Sequence, residues 1–149
     1  MIESYGSFLP LVGIVVIVAV ILIIVILHNK KKNRPLPMDE MEGHDFEYYC
    51  AGLLEEMGFL SVEVTKGSGD FGVDILAEKD GISYAFQCKC YDKPIGVKAV
   101  EEIYAGRDFY DRMVGVVMTN QYFTQPAVEM AKKLNIILWD RDYLADKEV

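Results

Sequence analysis

Twenty consecutive residues, Phe8 to Leu27, carry no charge, and only Pro10 and Gly13 among them fall outside the strongly apolar set. Wound as a helix rising about 1.5 Å per residue, such a run is about 30 Å long, the thickness of a bilayer's hydrocarbon core. A cleaved signal peptide would instead need a basic start, a shorter apolar region and a small-residue cleavage site, whereas the only charge ahead of this run is Glu3. The expectation is a retained single-pass anchor. Lys30, Lys31, Lys32 and Arg34 follow directly, so the positive-inside bias sets the N-terminus outside and the rest of the chain in the cytoplasm. Pro35-Leu36-Pro37 then breaks the helix, because proline lacks a donor and disfavours helix in the residue before it. The chain thus divides into an anchor with its basic flank (1–34), a proline-containing linker (35–37) and a globular domain (38–149).

What remains of the 149 residues has room for one core. Setting aside Glu3 and the four basic residues after the apolar run, the 23 acidic and 15 basic residues fall to 22 and 11, a net charge of −11 for Pro35 to Val149. That balance excludes a domain that coats nucleic acid by bulk charge, since nonspecific duplex affinity comes mainly from phosphate neutralisation by Lys and Arg. Any nucleic-acid site must be a local one. The Lys30 to Arg34 cluster reads as a topology signal and a contact for anionic lipid. Three cysteines, Cys50, Cys88 and Cys90, are too few for a disulfide-stapled domain and suit a reducing compartment. A zinc clamp needs four ligands, so packed thiols are the reading for Cys88 and Cys90.

Along the globular part, Phe46, Tyr49, Cys50, Leu53, Leu54 and Met57 follow the i, i+3, i+4, i+7 pattern of an amphipathic helix, starting between Asp39 and His44 and stopping at Gly58. Leu60 to Lys66 alternates as a strand, the glycine-rich Gly67 to Gly72 interrupts, and Val73 to Glu78 reads as a second strand. Asp80-Gly81 signals a two-residue hairpin returning as a third strand, Ile82 to Tyr91. Val97, Val100, Ile103 and Tyr104 stripe a second helix, and Met113 to Thr119 is the continuous apolar run of a strand covered on both faces. Thr124 caps a third helix with Pro126 just inside and Ala127, Met130, Ala131 and Leu134 inward, before a last strand, Ile136 to Trp139. The fold class is α/β, in the order αβββαβαβ.

The period of two in a strand puts Gln87 and Lys89 on one sheet face and Phe86, Cys88 and Cys90 on the other. Asp74 interrupts an otherwise apolar segment in the neighbouring strand. Glu47 lies about 100° around the first helix from Phe46 and about 20° from Leu54, at the border of the buried stripe, where it can look toward the sheet. An Asp, a Glu, a Gln oxygen and a Lys converging on a sheet face suit phosphodiester hydrolysis with a hard cation: oxygen ligands hold Mg²⁺, which keeps several waters and takes a substrate phosphate oxygen. The Lys can orient or deprotonate a water and stabilise charge developing on phosphorus. The spacing alone is weak evidence and fits polar residues facing solvent from a half-exposed sheet somewhat better. Likewise the Gly67 to Gly72 loop fits both a phosphate cradle and ordinary turn chemistry. Tyr84, Tyr91 and Tyr104 suit packing better than base stacking.

Taken in order, Phe46-Glu47, Leu53-Leu54 to Gly58-Phe59, Ser68-Gly69-Asp70-Phe71-Gly72-Val73-Asp74-Ile75, Phe86-Gln87-Cys88-Lys89-Cys90-Tyr91, Val117-Met118-Thr119-Asn120 with Phe123-Thr124, and Ala127 to Ala131 resemble the Mrr-like restriction endonuclease domain of the PD-(D/E)xK nuclease superfamily. The resemblance spans Met38 to Leu144. It implies a restriction-endonuclease-like core with a mixed central sheet flanked by helices. It also implies that Asp74 is a metal-binding acid, that Gln87 stands where most of the superfamily has Glu or Asp, that Lys89 is the catalytic lysine and that Glu47 is the first-helix glutamate. The implied metal set is Asp74, Gln87 and Glu47 with Mg²⁺ or Mn²⁺, and the implied substrate is double-stranded DNA in restriction or defence. Cys90 departs from the basic residue that often follows the lysine, and the expectation is of a domain without a separate DNA-recognition domain. A catalytically weak membrane scaffold binding DNA or a protein partner stays open, as do a nuclease acting on RNA or branched DNA and a homodimer.

Overall fold

A computed structural model describes residues 13–24, 37–67, 69 and 71–148. The chain splits into two compact units, Met1–Pro35 and Leu36–Val149. In the first, residues 13–24 form a helix, α1, with exposed side chains. The flanks of the expected 8–27 span, the basic cluster after it and residues 35 and 36 of the expected linker lie outside the described residues, as do Ser68 and Asp70 of the glycine-rich loop. Among the described residues no helix is long and apolar enough to cross a membrane.

In the second unit a single 3₁₀ turn, Pro37–Glu40, precedes α2 (Gly43–Glu56), β1 (Leu60–Val64), β2 (Ile75–Lys79), β3 (Ile82–Lys89), α3 (Val97–Phe109), β4 (Val114–Thr119), α4 (Gln125–Leu134), β5 (Ile136–Trp139) and α5 (Arg141–Lys147). The five strands form one sheet in the order β1-β2-β3-β4-β5. The β1/β2 and β2/β3 pairs are antiparallel, and β3/β4 and β4/β5 are parallel. Asp80 and Gly81 both adopt positive φ, 53° and 78°, which closes the two-residue turn with the twist the flanking strands require.

Two apolar layers sandwich the sheet. On one face Phe46, Cys50, Leu53 and Leu54 of α2 and Leu144 of α5 pack with Ile75, Phe86, Val116 and Trp139. On the other, Ala99, Val100 and Ile103 of α3 and Ala127 and Ala131 of α4 pack with Val73, Ala85 and Val117. Successive residues of β4 thus go to opposite layers, which is why that segment reads as a continuous apolar run. Thr124 caps α4 by accepting from the Ala127 N–H, a contact worth about 1 kcal/mol.

Several elements differ from the sequence reading: β1 ends at Val64 and not at Lys66, and β2 runs Ile75–Lys79 in place of Val73 to Glu78, so Asp74 lies just before it. β3 ends at Lys89 and not at Tyr91, where the chain leaves the ladder toward α3. A fifth helix, α5, follows the last strand, capped by Asp140, which accepts from the Tyr143 N–H at 3.0 Å. It is held to α2 where the Tyr49 hydroxyl donates to Glu148. At the sheet's outer edge, β1 carries a register shift between Leu60 and Glu63, and Ser61 there takes a φ of +52°.

Candidate active site

The site lies where β2 and β3 part at the end of their hairpin. In the β2/β3 ladder Phe86 is the partner of Ile75, yet the Asp74 N–H also donates to the Phe86 carbonyl, at 2.8 Å. β2 therefore holds an extra residue at this point, a bulge of the kind that re-aims a side chain. One Asp74 carboxylate oxygen takes the backbone N–H of Cys88 at 2.6 Å, which ties the acid to the strand carrying Gln87 and Lys89.

Those two side chains share a face, as the period of two requires. Gln87 has no exposed surface, and its Nε2 donates to Oε2 of Glu102 at 2.7 Å. The Lys89 ammonium pairs with the same oxygen at 3.0 Å, while Lys98 approaches Glu102 Oε1 at 3.7 Å. Partial burial opposes ionisation of Glu102, but the hydrogen bonds from Lys89 and Gln87 and the charges of Lys89 and Lys98 outweigh it and hold this carboxyl below its ordinary value.

The backbone makes room for this cluster. Gly72 has a φ of +78°, and a Cβ there would lie 3.0 Å from Glu102 Cβ and 3.1 Å from Gln87 Nε2. One turn along α3, a Cβ on Gly106 would lie 2.6 Å from both the Phe71 carbonyl oxygen and a Val73 methyl. The loop end Phe71-Gly72-Val73 therefore lies against α3 with no space for side chains at either glycine, so for Gly72 close packing as well as turn chemistry accounts for the residue.

The four residues expected to converge fall into three sets of partners. Gln87 and Lys89 meet at Glu102, Asp74 is bound to Cys88 N–H, and Glu47 pairs with His44 on its own helix at 2.9 Å. Lys89 forms its ion pair with Glu102. Cys88 lies between the groups: a hydrogen bond with Cys50, then burial, then the charges of Cys50, Asp74 and Glu47 raise its thiol well above the usual range. The described cysteines are all free, as packed thiols should be.

Glu102 went unread. The signal was available: helical-wheel arithmetic puts it about 60° from buried Ala99 and Ile103 about 40° to the other side, the same border position that singled out Glu47.

Whether the residues fit a divalent ion turns on Gln87. Its Oε1 is buried without a hydrogen-bond partner among the described residues, although such groups are nearly always satisfied. No group of three His, Cys, Asp or Glu side chains there could hold a metal. The donors at hand are one carboxylate and one amide oxygen, which suits an ion that keeps most of its waters. Beside them Lys89, Tyr91, Lys93, Lys98 and Glu102 line a cleft of about 170 Å³, so three lysines face one glutamate inside an acidic domain.

A five-stranded mixed sheet with helices on both faces and an Asp and a Gln-x-Lys at its parting strands defines an α/β fold of restriction-endonuclease type. The chain belongs to the Mrr_cat restriction endonuclease family, whose profile matches residues 38–147; family and fold make it a nuclease hydrolase domain. Among solved structures it is similar to AF1548, a protein of unknown function, with 26% identity, a TM-score of 0.52, and coverage of 65% of this chain and 57% of that one. It is also similar in fold to the DNA modification-dependent restriction endonuclease AspBHI (17% identity, TM-score 0.57, 79% and 36% covered). The MspJI restriction endonuclease, solved with a 27-mer oligonucleotide, gives 20% identity, a TM-score of 0.50, and 70% and 27% coverage. The match thus extends over little more than half of the first of these proteins and about a third or less of the other two. No curated protein matches the chain.

Proposed function

We propose that the chain is a membrane-anchored, Mg²⁺-dependent DNA endonuclease that hydrolyses phosphodiester bonds from the inner surface of a membrane. The observation that carries this is the buried Gln87 oxygen without a partner among the described residues, on the strand whose Cys88 N–H holds Asp74 and whose Lys89 lines a cleft with Lys93 and Lys98. Family membership supports nuclease chemistry. The uncharged 8–27 run and the basic residues after it support the anchor and the cytoplasmic placement of the domain.

Asp74 and Gln87 would hold the ion, with Glu47 at the margin. Bound there, Mg²⁺ supplies positive charge to a phosphate oxygen. Lys93 and Lys98 draw the backbone into the cleft by charge. Lys89 orients the attacking water and stabilises charge developing on phosphorus. Water's oxygen joins phosphorus as the bond to the departing sugar oxygen breaks, and water's proton ends on that oxygen.

The test is incubation of the full-length chain with plasmid, modified plasmid and RNA, in Mg²⁺ and in chelator. Mg²⁺-dependent cutting of plasmid is expected; cutting of RNA alone would move the substrate class. The domain's net charge of −11 favours one rival, a catalytically weak membrane scaffold that binds DNA or a protein partner, and absence of cutting on every substrate would support it.

A further inference from the structure

We propose that Glu102 is a positioning residue which, by holding the Gln87 amide nitrogen, turns the Gln87 oxygen away from itself to serve as a ligand and anchors Lys89 on the same carboxylate oxygen. The inference deepens the metal-site reading of Asp74 and Gln87 and rests on it.

A carboxylate at position 87 would present an oxygen whichever way it turned. An amide has two unlike ends, one that only donates and one that only accepts, so it serves a cation only when something fixes its sense. Glu102, ionised, can only accept. Facing it at 2.7 Å, the Gln87 end must be the NH₂ group, and the amide oxygen is forced to the opposite side. That oxygen is the one found buried with no partner among the described residues. Left so, a buried acceptor forfeits the hydrogen bond it would make in water, a penalty relieved when a cation arrives.

The same Oε2 takes Lys89 at 3.0 Å, so one atom sets two functional side chains. Glu102 can approach because position 72 is glycine: a Cβ there would come within 3.0 Å of Glu102 Cβ and 3.1 Å of Gln87 Nε2. Three elements, the glycine loop, β3 and α3, are thereby fitted around one carboxylate that need touch neither metal nor substrate.

The experiment is Mn²⁺ binding, without DNA, to the full-length chain in mild detergent. Loss of a group that orients a metal ligand typically weakens affinity ten- to a hundredfold, and Glu102→Ala should fall in that range. Glu102→Gln should keep most of the affinity, since its amide oxygen can still accept from Gln87. Gln87→Glu introduced into Glu102→Ala should restore binding, because a carboxylate needs no orienting; this readout does not move if Glu102 merely packs. Wild-type affinity in a folded Glu102→Ala, equal loss in Glu102→Gln, or failure of the double variant to recover would each overturn the proposal. Asp74→Ala and Gln87→Ala separate the two levels: if both bind Mn²⁺ like wild type, the metal-site reading falls, whereas if both lose binding and Glu102→Ala does not, the orienting role alone falls.

Discussion

Position 106 shows how a single atom can reverse a general rule. Alanine in place of a mid-helix glycine ordinarily stabilises by about 1 kcal/mol. Here the added Cβ would meet a carbonyl oxygen and a methyl at 2.6 Å, an overpacking that typically costs about 1–3 kcal/mol. Gly106→Ala should therefore lower the midpoint of denaturant unfolding; a higher midpoint would show that the loop can retreat from α3. Glu102 gives a pH dependence. Its carboxyl lies below the ordinary value of 4.5 in the folded state, so the unfolded chain binds the proton first as pH falls. The stability it contributes is complete above pH 4.5 and drains away as pH drops through the folded value. Replacing it by glutamine should flatten the loss of stability below pH 4.5 in acid unfolding curves. Lys89→Ala should cut no substrate at more than about a hundredth of the wild-type rate, measured on plasmid with Mg²⁺. Strand periodicity was enough to put Gln87 and Lys89 together. Their shared partner was hidden because Glu102 lies on a helix, 15 residues beyond Gln87, and a helical border position is far more common than a functional one.

At the scale of elements, the alternation of strands and the 3.6 period of helices made α2 to β5 legible, including the Asp80-Gly81 turn and the Thr124 cap. What could not be seen was α5. Seven residues offer less than two full turns, too few for an apolar stripe to declare itself, and only Asp140 as a cap hinted at it. That cap is testable. Asp140→Ala should cost about 1 kcal/mol, read as a lower melting temperature, and should loosen the chain's end where Tyr49 holds Glu148. The bulge at Asp74 was equally illegible, since an extra residue in a ladder shows only in the partner's hydrogen bonds. It decides where the acid goes: with Asp74 N–H on the Phe86 carbonyl, the carboxylate reaches Cys88 N–H.

For the whole molecule, charge distribution matters more than net charge. The domain is strongly acidic, yet Lys89, Lys93 and Lys98 share one cleft, the local patch that composition demanded of any nucleic-acid role. Binding to duplex DNA should weaken with salt, and Lys93→Ala should lower the slope of log affinity against log salt by about one; an unchanged slope would remove Lys93 from the path of the backbone. On topology, a protease added outside intact cells should spare the domain, and digestion would reverse the orientation proposed from Lys30 to Arg34.

The outer strand has a role in keeping copies apart. An open sheet edge is a template for any neighbouring chain. In β1 the register shift between Leu60 and Glu63 and the left-handed Ser61 break the row of amides and carbonyls that a second sheet would have to match. A neighbour aligning on this edge finds donors and acceptors out of step after two residues, so the sheet can end in open solvent without seeding a fibre.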